Sequence, residues 1–263
     1  MKKYINLTFI FLVFNTCVSE EKIHERMISF DEALIPVWYH ASKGDIEKAQ
    51  MSVPVLEERW YELQDDYQNI IGPRIAWEET YECVTELATA AIQAVEYEEM
   101  KDAVDYLEAI NFELMNLRME YGVDHTFDKI WEFKLSYDLI EKLVGEYYYL
   151  FEAEEFDCLL GEVNGLWQVV KADSFVSLNW ERKKNHQSQQ IKNRIERELD
   201  LLINTNEKRT AEQEEFGFEF DALTLSINQL ICLFGDFGAQ IDVAYSAAKA
   251  DISTSAHHQN FSH

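Results

Sequence analysis

The chain has 263 residues, 47% hydrophobic and 13% aromatic, which is enough apolar material for one large core or two ordinary ones and excludes general disorder. Its 49 acidic residues against 23 lysines and arginines give a formal charge of −26. A surface that negative repels phosphate backbones and anionic lipid, so nucleic acid is not an expected partner; metal ions, basic proteins and small cations are.

At the N-terminus, Lys2 and Lys3 precede an apolar run from Tyr4 to Phe14, followed by Asn15-Thr16-Cys17. That is the layout of a bacterial export signal over residues 1–17, with an apolar run too short to span a bilayer. Phe14-Asn15-Thr16-Cys17 resembles a relaxed lipobox, in which the signal is cut just before a cysteine that then carries lipid. The usual Leu three positions before the cysteine and the small residue just before it are here Phe14 and Thr16. The resemblance implies an exported helical-bundle lipoprotein, periplasmic or on the outer membrane, anchored through Cys17 with residues 18–28 as tether. Plain secretion with cleavage near Val18 or Ser19 is the alternative.

From residue 29 onward the apolar residues fall into seams spaced alternately three and four, the mark of packed helices. Phe30, Ala33, Leu34, Val37, Trp38 and Ala41 form the first seam, and Ile46, Ala49, Val53, Leu56, Trp60, Leu63 and Tyr67 the second. Trp77, Tyr81, Val84, Ala88, Ala91 and Val95 follow, then Ala103, Leu107, Ile110, Leu114, Leu117 and Tyr121. The second half repeats the habit with Ile130, Phe133, Tyr137, Ile140, Val144 and Tyr147, then Phe156, Leu159, Val163, Leu166 and Val170. Ile191, Ile195, Leu199 and Leu202 come after a polar lead-in, and a last seam runs from Phe216 through Phe220, Leu223, Ile227, Leu230, Phe234 and Phe237 to Ile241. No segment alternates as a strand does, so the expected class is all-α.

Polar turns are expected near Lys43-Gly44, Glu98-Glu99, Ala153-Glu154 and Asn204-Thr205-Asn206. After the first two, Asp45-Ile46-Glu47-Lys48-Ala49 and Glu99-Met100-Lys101-Asp102-Ala103 share an acidic start and an alanine, predicting a capped N-terminus and a close helix contact. Glu155-Phe156-Asp157 is expected to open its helix in the same way. Four helical hairpins then group as two tandem antiparallel, up-down four-helix bundles, residues 29–122 and 123–250, divided near Tyr121-Gly122-Val123-Asp124. A helical-repeat solenoid is the rival, because Lys43-Gly44-Asp45-Ile46-Glu47-Lys48-Ala49 resembles a turn of the tetratricopeptide repeat; the joints, roughly 50 to 55 residues apart, do not match that family's 34-residue period. Residues 251–263 lose all periodicity and are expected to be a disordered tail.

The chemistry-bearing residues are sparse. Cys83, Cys158 and Cys232 form no CxxC pair, and buried free thiols are expected in preference to one bridge among them. His40 borders the first apolar stripe and His125 stands between Asp124 and Asp128, so either imidazole could ligate a metal. Glu21-Lys22-Ile23-His24 has the Glu-x-x-His spacing of di-iron bundles, without a second copy. Export, helix number and apolar seams resemble small bundles of the cytochrome b562 and cytochrome c′ kind. That resemblance implies a haem alternative in which Met115 or Met119 pairs with His40, although the CxxCH attachment motif is missing and Asn111 accompanies the methionines.

The remaining features are surface patterns. Glu78, Glu82 and Glu86, and Glu58, Glu62 and Asp66, form carboxylate ladders that could hold a hard cation or make a solvated face. Arg182, Lys183, Lys184, Lys192, Arg194 and Arg197, with Trp180 and His186, form the one basic stretch, which either docks an acidic partner or a second copy or pairs with its own acidic neighbours. Tyr147-Tyr148-Tyr149 with Phe151 and Trp167 concentrate aromatic surface, as core or as a stacking platform. His257, His258 and His263 in the tail could capture nickel or copper weakly. GxSxG, HExxH and phosphate-binding glycine loops are missing, and no Ser-His-Asp or Cys-His set assembles. The expectation is a non-enzymatic envelope binding protein, a lipid-anchored scaffold for a partner protein or for its own copies. A metal- or haem-binding periplasmic bundle is the alternative.

Overall fold

The computed structural model describes residues 24–68, 75–147, 153–173, 175, 182–208 and 213–237. The export signal, Cys17 and most of the tether, the Tyr148–Phe151 aromatics, Trp180, Ile241 and the histidine-bearing tail lie outside the described residues. Among the described residues the chain is all-helical, with eight α-helices and no strand. It divides into two compact units between Val123 and Asp124.

The first unit holds α1 (24–42), α2 (Ile46–Gln68), α3 (Ile75–Glu96) and α4 (Met100–Glu120). Contacts between consecutive helices run antiparallel: as the residue number rises on one helix, its partner's falls on the next. Arg26 meets Glu62 and Asp66, Phe30 meets Trp60, Gln50 meets Val95, and Trp60 meets Tyr81. Then α4 returns to α1, where Arg118 meets Asp31 and Glu108 meets Trp38. A solenoid has no such contact between its first and fourth helices. The ring is a four-helix up-down bundle.

Its interior is filled by Leu34, Leu56, Leu63, Val84, Leu107, Ile110 and Leu114, all at or near zero exposure. The α3–α4 contact is extensive, and Ala88, Ala91, Ala94 and Ala103, all buried, let the two backbones approach closely. At the opposite end of the unit, rings pass from Phe30 through Trp60, Tyr81 and Trp77 to Tyr121, with centroids 5.3 to 6.2 Å apart.

The second unit holds α5 (Thr126–Tyr147), α6 (Ala153–Ala172), α7 (Arg182–Lys208) and α8 (Gln213–Cys232). The same antiparallel pattern closes the same ring. Phe133 meets Trp167, Lys171 meets Glu196, Arg194 meets Gln229, and Tyr137 of α5 meets Phe220 of α8. Three details depart from expectation. On α6 the buried residues are Leu160 and Trp167, not Leu159 and Leu166, because the seam turns so that the large indole lies inside. The break expected at Asn204-Thr205-Asn206 does not occur, and α7 continues to Lys208. Ala153 and Glu154 begin a helix where a turn was expected. Beyond Cys232 the last seam leaves the helix through successive i to i−3 bonds, yet Phe234 and Phe237 remain buried.

Three helix ends in the first unit share one geometry. Asp45 N–H bonds the His40 carbonyl, Glu99 N–H the Ala94 carbonyl, and Val123 N–H the Arg118 carbonyl, each enclosing an i to i−3 bond one residue inside at either end. This Schellman arrangement puts its C′ residue in the left-handed region, occupied by Gly44 (φ 67°), Glu98 (φ 63°) and Gly122 (φ 68°). Asp45 then caps α2 by accepting the Lys48 N–H, whereas Glu99 makes no side-chain cap to α4, contrary to the parallel drawn from sequence. Its extra methylene makes Glu a poor N-cap. Ala49 and Ala103 are nevertheless both fully buried. Because Glu98 bears the strain that glycine avoids at the two matching turns, Glu98→Gly is expected to stabilise the protein by roughly 0.5–1 kcal/mol, and Gly44→Ala to destabilise it by about 1 kcal/mol, in urea unfolding.

Candidate functional site

Each unit buries a small group of polar side chains. In the first, Asp31 and Arg118 face each other across α1 and α4 at 3.3 Å, with side chains 4% and 0% exposed. Both lie on 3–4 seams, Asp31 between Met27 and Leu34, and Arg118 below Leu107, Asn111 and Leu114. A guanidinium taken out of water loses several kcal/mol of hydration, which only a well-placed carboxylate offsets. On the same face of α4, Asn111 is 1% exposed and its Nδ2 has no acceptor among the described residues.

In the second unit the polar group gathers at the exit of α6. Asp173 accepts bonds from Lys129 (2.9 Å) and Thr126 (3.2 Å) of α5 and from the Phe175 N–H (3.2 Å). Burial alone would raise its pKa, but these donors, Lys129 first, hold it below the ordinary aspartate value. From α7, Lys192 reaches across to donate to the carbonyls of Val170 (3.0 Å) and Asp173 (2.6 Å), and its ammonium stands 3.5 Å from the centre of the Phe175 ring. It thereby serves carbonyls that the end of a helix leaves without intrahelical donors. Burial pulls the Lys192 pKa from 10.5 down to about 8, against the attraction of Asp173.

The residues singled out from sequence do not gather. His40 is buried near the C-terminus of α1, ring-edge to Tyr39, and burial lowers its pKa despite nearby Asp45. The α1–α4 register sets His40 level with the stretch of α4 around Glu108, so Met115, though buried, lies about 11 Å further along the axis. Met119 is 53% exposed. His125 is buried beside the Phe127 ring in the second unit. Among the described residues no three His, Cys, Asp or Glu side chains converge as a metal site, and no helix is long and apolar enough to cross a membrane. Of the carboxylate ladders, Glu78, Glu82 and Glu86 are exposed, while Glu62 and Asp66 are taken by Arg26 of α1 at 2.9 and 2.7 Å.

The basic stretch also divides. Lys192 points inward, Arg194 donates to Gln229 of α8, Lys184 is half-buried and Arg197 is exposed; the side chains of Arg182 and Lys183 lie outside what is described. Trp167 is core, donating through Nε1 to Glu196. The thiols are less buried than expected: Cys158 is exposed and Cys83 half-buried, its pKa raised by burial.

What sequence reading passed over is on the outside of the first unit. Met51 (62% exposed), Val55 and Tyr61 (67%) project from α2, and Phe112 and Met119 from α4. Only the pairing of helices reveals which side of each faces solvent. Set against known proteins, the chain matches no family model, no curated protein and no solved structure.

Two substitutions test these polar groups. Asp31→Ala removes the carboxylate that faces a buried guanidinium and should cost about 3–5 kcal/mol in chemical unfolding, whereas Asp31→Leu with Arg118→Met should recover most of that loss. For Lys192, the unfolded chain holds the proton up to pH 10.5 and the folded protein only to about 8. Stability contributed at this site is therefore full above the higher value and lost as pH falls through the lower one. The unfolding free energy of wild type minus that of Lys192→Met should rise from pH 7.5 to 9.5; a constant difference means the ammonium is not desolvated.

Proposed function

We propose that this chain is an exported, lipid-anchored, non-enzymatic scaffold that binds a partner protein at the bacterial envelope. One observation supports it above the others: large apolar side chains stand in solvent on the outward faces of α2 and α4, within a bundle whose own core is already filled. Exposed Met, Tyr and Phe on a rigid helical face are the raw material of interface anchors, offering contact area at little entropic cost. The groups with displaced pKa values support the same reading. Lys192 and Asp173 bond the backbone where α6 ends, as structural polar groups do. Export and the lipid on Cys17 rest on the N-terminal pattern of the sequence.

Photo-crosslinking residues placed at Met51, Phe112 or Met119 in producing cells should give a discrete protein adduct, with none from Glu82 on the exposed acidic ladder. No adduct from any of the three positions would sink the partner reading. Cys17→Ala should abolish labelling by a radioactive fatty acid; persistent labelling would place the acyl chain elsewhere.

A further inference from the structure

The outward face of α2 indicates what kind of partner fits it. Counting 100° per residue, Met51, Pro54, Val55, Glu58, Tyr61 and Asp65 fall within about 120° of arc. All six are exposed. With Glu47 at its start the strip is about 27 Å long, matching a partner helix of about 18 residues. Met51 precedes Pro54 by three and Val55 by four, and Pro54 precedes Tyr61 by seven, the spacings at which a second helix presents its own apolar stripe, while Val55 and Tyr61 mark the two edges of the arc.

The electrostatics of the strip have one sign. Glu47 and Glu58 are exposed on it, and Asp65 closes its far end with a third acid. The two cations of α2 fall outside this arc and are engaged by acids, Lys48 with Asp45 at 2.5 Å and Arg59 with the half-buried Glu62, which lies within it, at 2.8 Å. Pro54 adds a polar acceptor: it has no N–H to give the Gln50 carbonyl one turn earlier, on the same exposed side of the helix. The strip therefore offers apolar anchors, exposed glutamates and a backbone acceptor, and α2 contributes no positive charge to it.

From this we infer that α2 docks a basic amphipathic helix, its apolar stripe on Met51, Val55 and Tyr61 and its lysines or arginines on Glu47 and Glu58. The inference rests on the partner-binding reading and specifies the partner's chemistry. A second copy of this chain, carrying a charge of −26, approaches against like-charge repulsion, and an anionic membrane does the same.

The test uses the full mature chain and three labelled peptides of about 18 residues: an amphipathic Leu/Lys helix, the same peptide with Leu replaced by Gln, and a Leu/Glu helix. Met51→Gln/Val55→Gln/Tyr61→Gln removes the anchors without changing net charge, and its far-UV circular dichroism reports that the bundle is intact. The Leu/Lys peptide is expected to bind the wild type about tenfold or more tighter than its Gln counterpart, and the triple variant should lose that advantage. Equal binding by variant and wild type overturns the proposal as bulk charge attraction, leaving the crosslinks at Phe112 and Met119 to judge the partner reading. Preference for the Leu/Glu peptide overturns the basic class while α2 still docks a helix. Self-association abolished by the triple variant makes the occupant a second copy and overturns the proposal in that way.

Discussion

Four helices joined by short turns can stack as an open row or close into a ring, and the contact between the first and the fourth decides between them. In the first unit that contact includes a buried polar pair, Asp31 with Arg118 in the last turn of α4, and further along Trp38 donates to Glu108. An apolar seam can slide past another by a helical turn at modest cost, but a buried ion pair tolerates only the register that brings both halves together. In the second unit the corresponding contact is made by the Tyr137 hydroxyl, which donates to the Phe220 carbonyl at 2.6 Å, and by Thr224 with Glu141. Burial drives Tyr137 far above the usual phenol pKa, so it stays protonated as a donor, and raises Glu141. Everything else about the two bundles, including which helix faces remain outside, follows from these closures.

Once the rings are closed, the distribution of charge acquires meaning. Much of the acidity belongs to exposed ladders such as Glu78, Glu82 and Glu86, which keep so negative a chain hydrated. Where cations are present they are commonly engaged within the fold: Arg26 and Arg59 with Glu62, Lys129 with Asp173, Lys171 with Glu196. The surface is therefore more one-sided than the composition suggests. Against that background the exposed methionines, tyrosines and phenylalanine of α2 and α4 are the features that solvation alone does not require.

A search of the sequence for apolar periodicity finds helices well and buried polar groups badly. The seams through Leu34, Leu56, Leu107 and Ile130 are legible because an apolar residue recurring every three or four positions has no other use in a soluble helix. Lys192, Asp31 and Arg118 occupy the same seams but read as surface charge, since a charged residue in isolation is nearly always outside. A signal was present in the spacing: Lys192 lies four residues after Ser188 and three before Ile195, at the edge of the apolar arc of α7. Where the expected metal and haem ligands come to stand is a complementary matter of register. His40 and Met115 each sit on an inward face, but their heights along the bundle are set by the α1–α4 register, which helical periodicity on one stretch of sequence does not contain.

The sequence by itself determined that the chain is helical, where most helices begin and end, and that its surface is strongly acidic, because these depend on local spacing, turn residues and composition. The tertiary structure alone decided that the first helix returns to the fourth, that Asp31, Arg118 and Lys192 lie inside, and that one side of α2 is left bare. Those outcomes depend on which faces meet across separations from 19 residues for Lys192 and Asp173 to 70 for Trp38 and Glu108, where each side chain's environment is set by a partner helix rather than by its own neighbours.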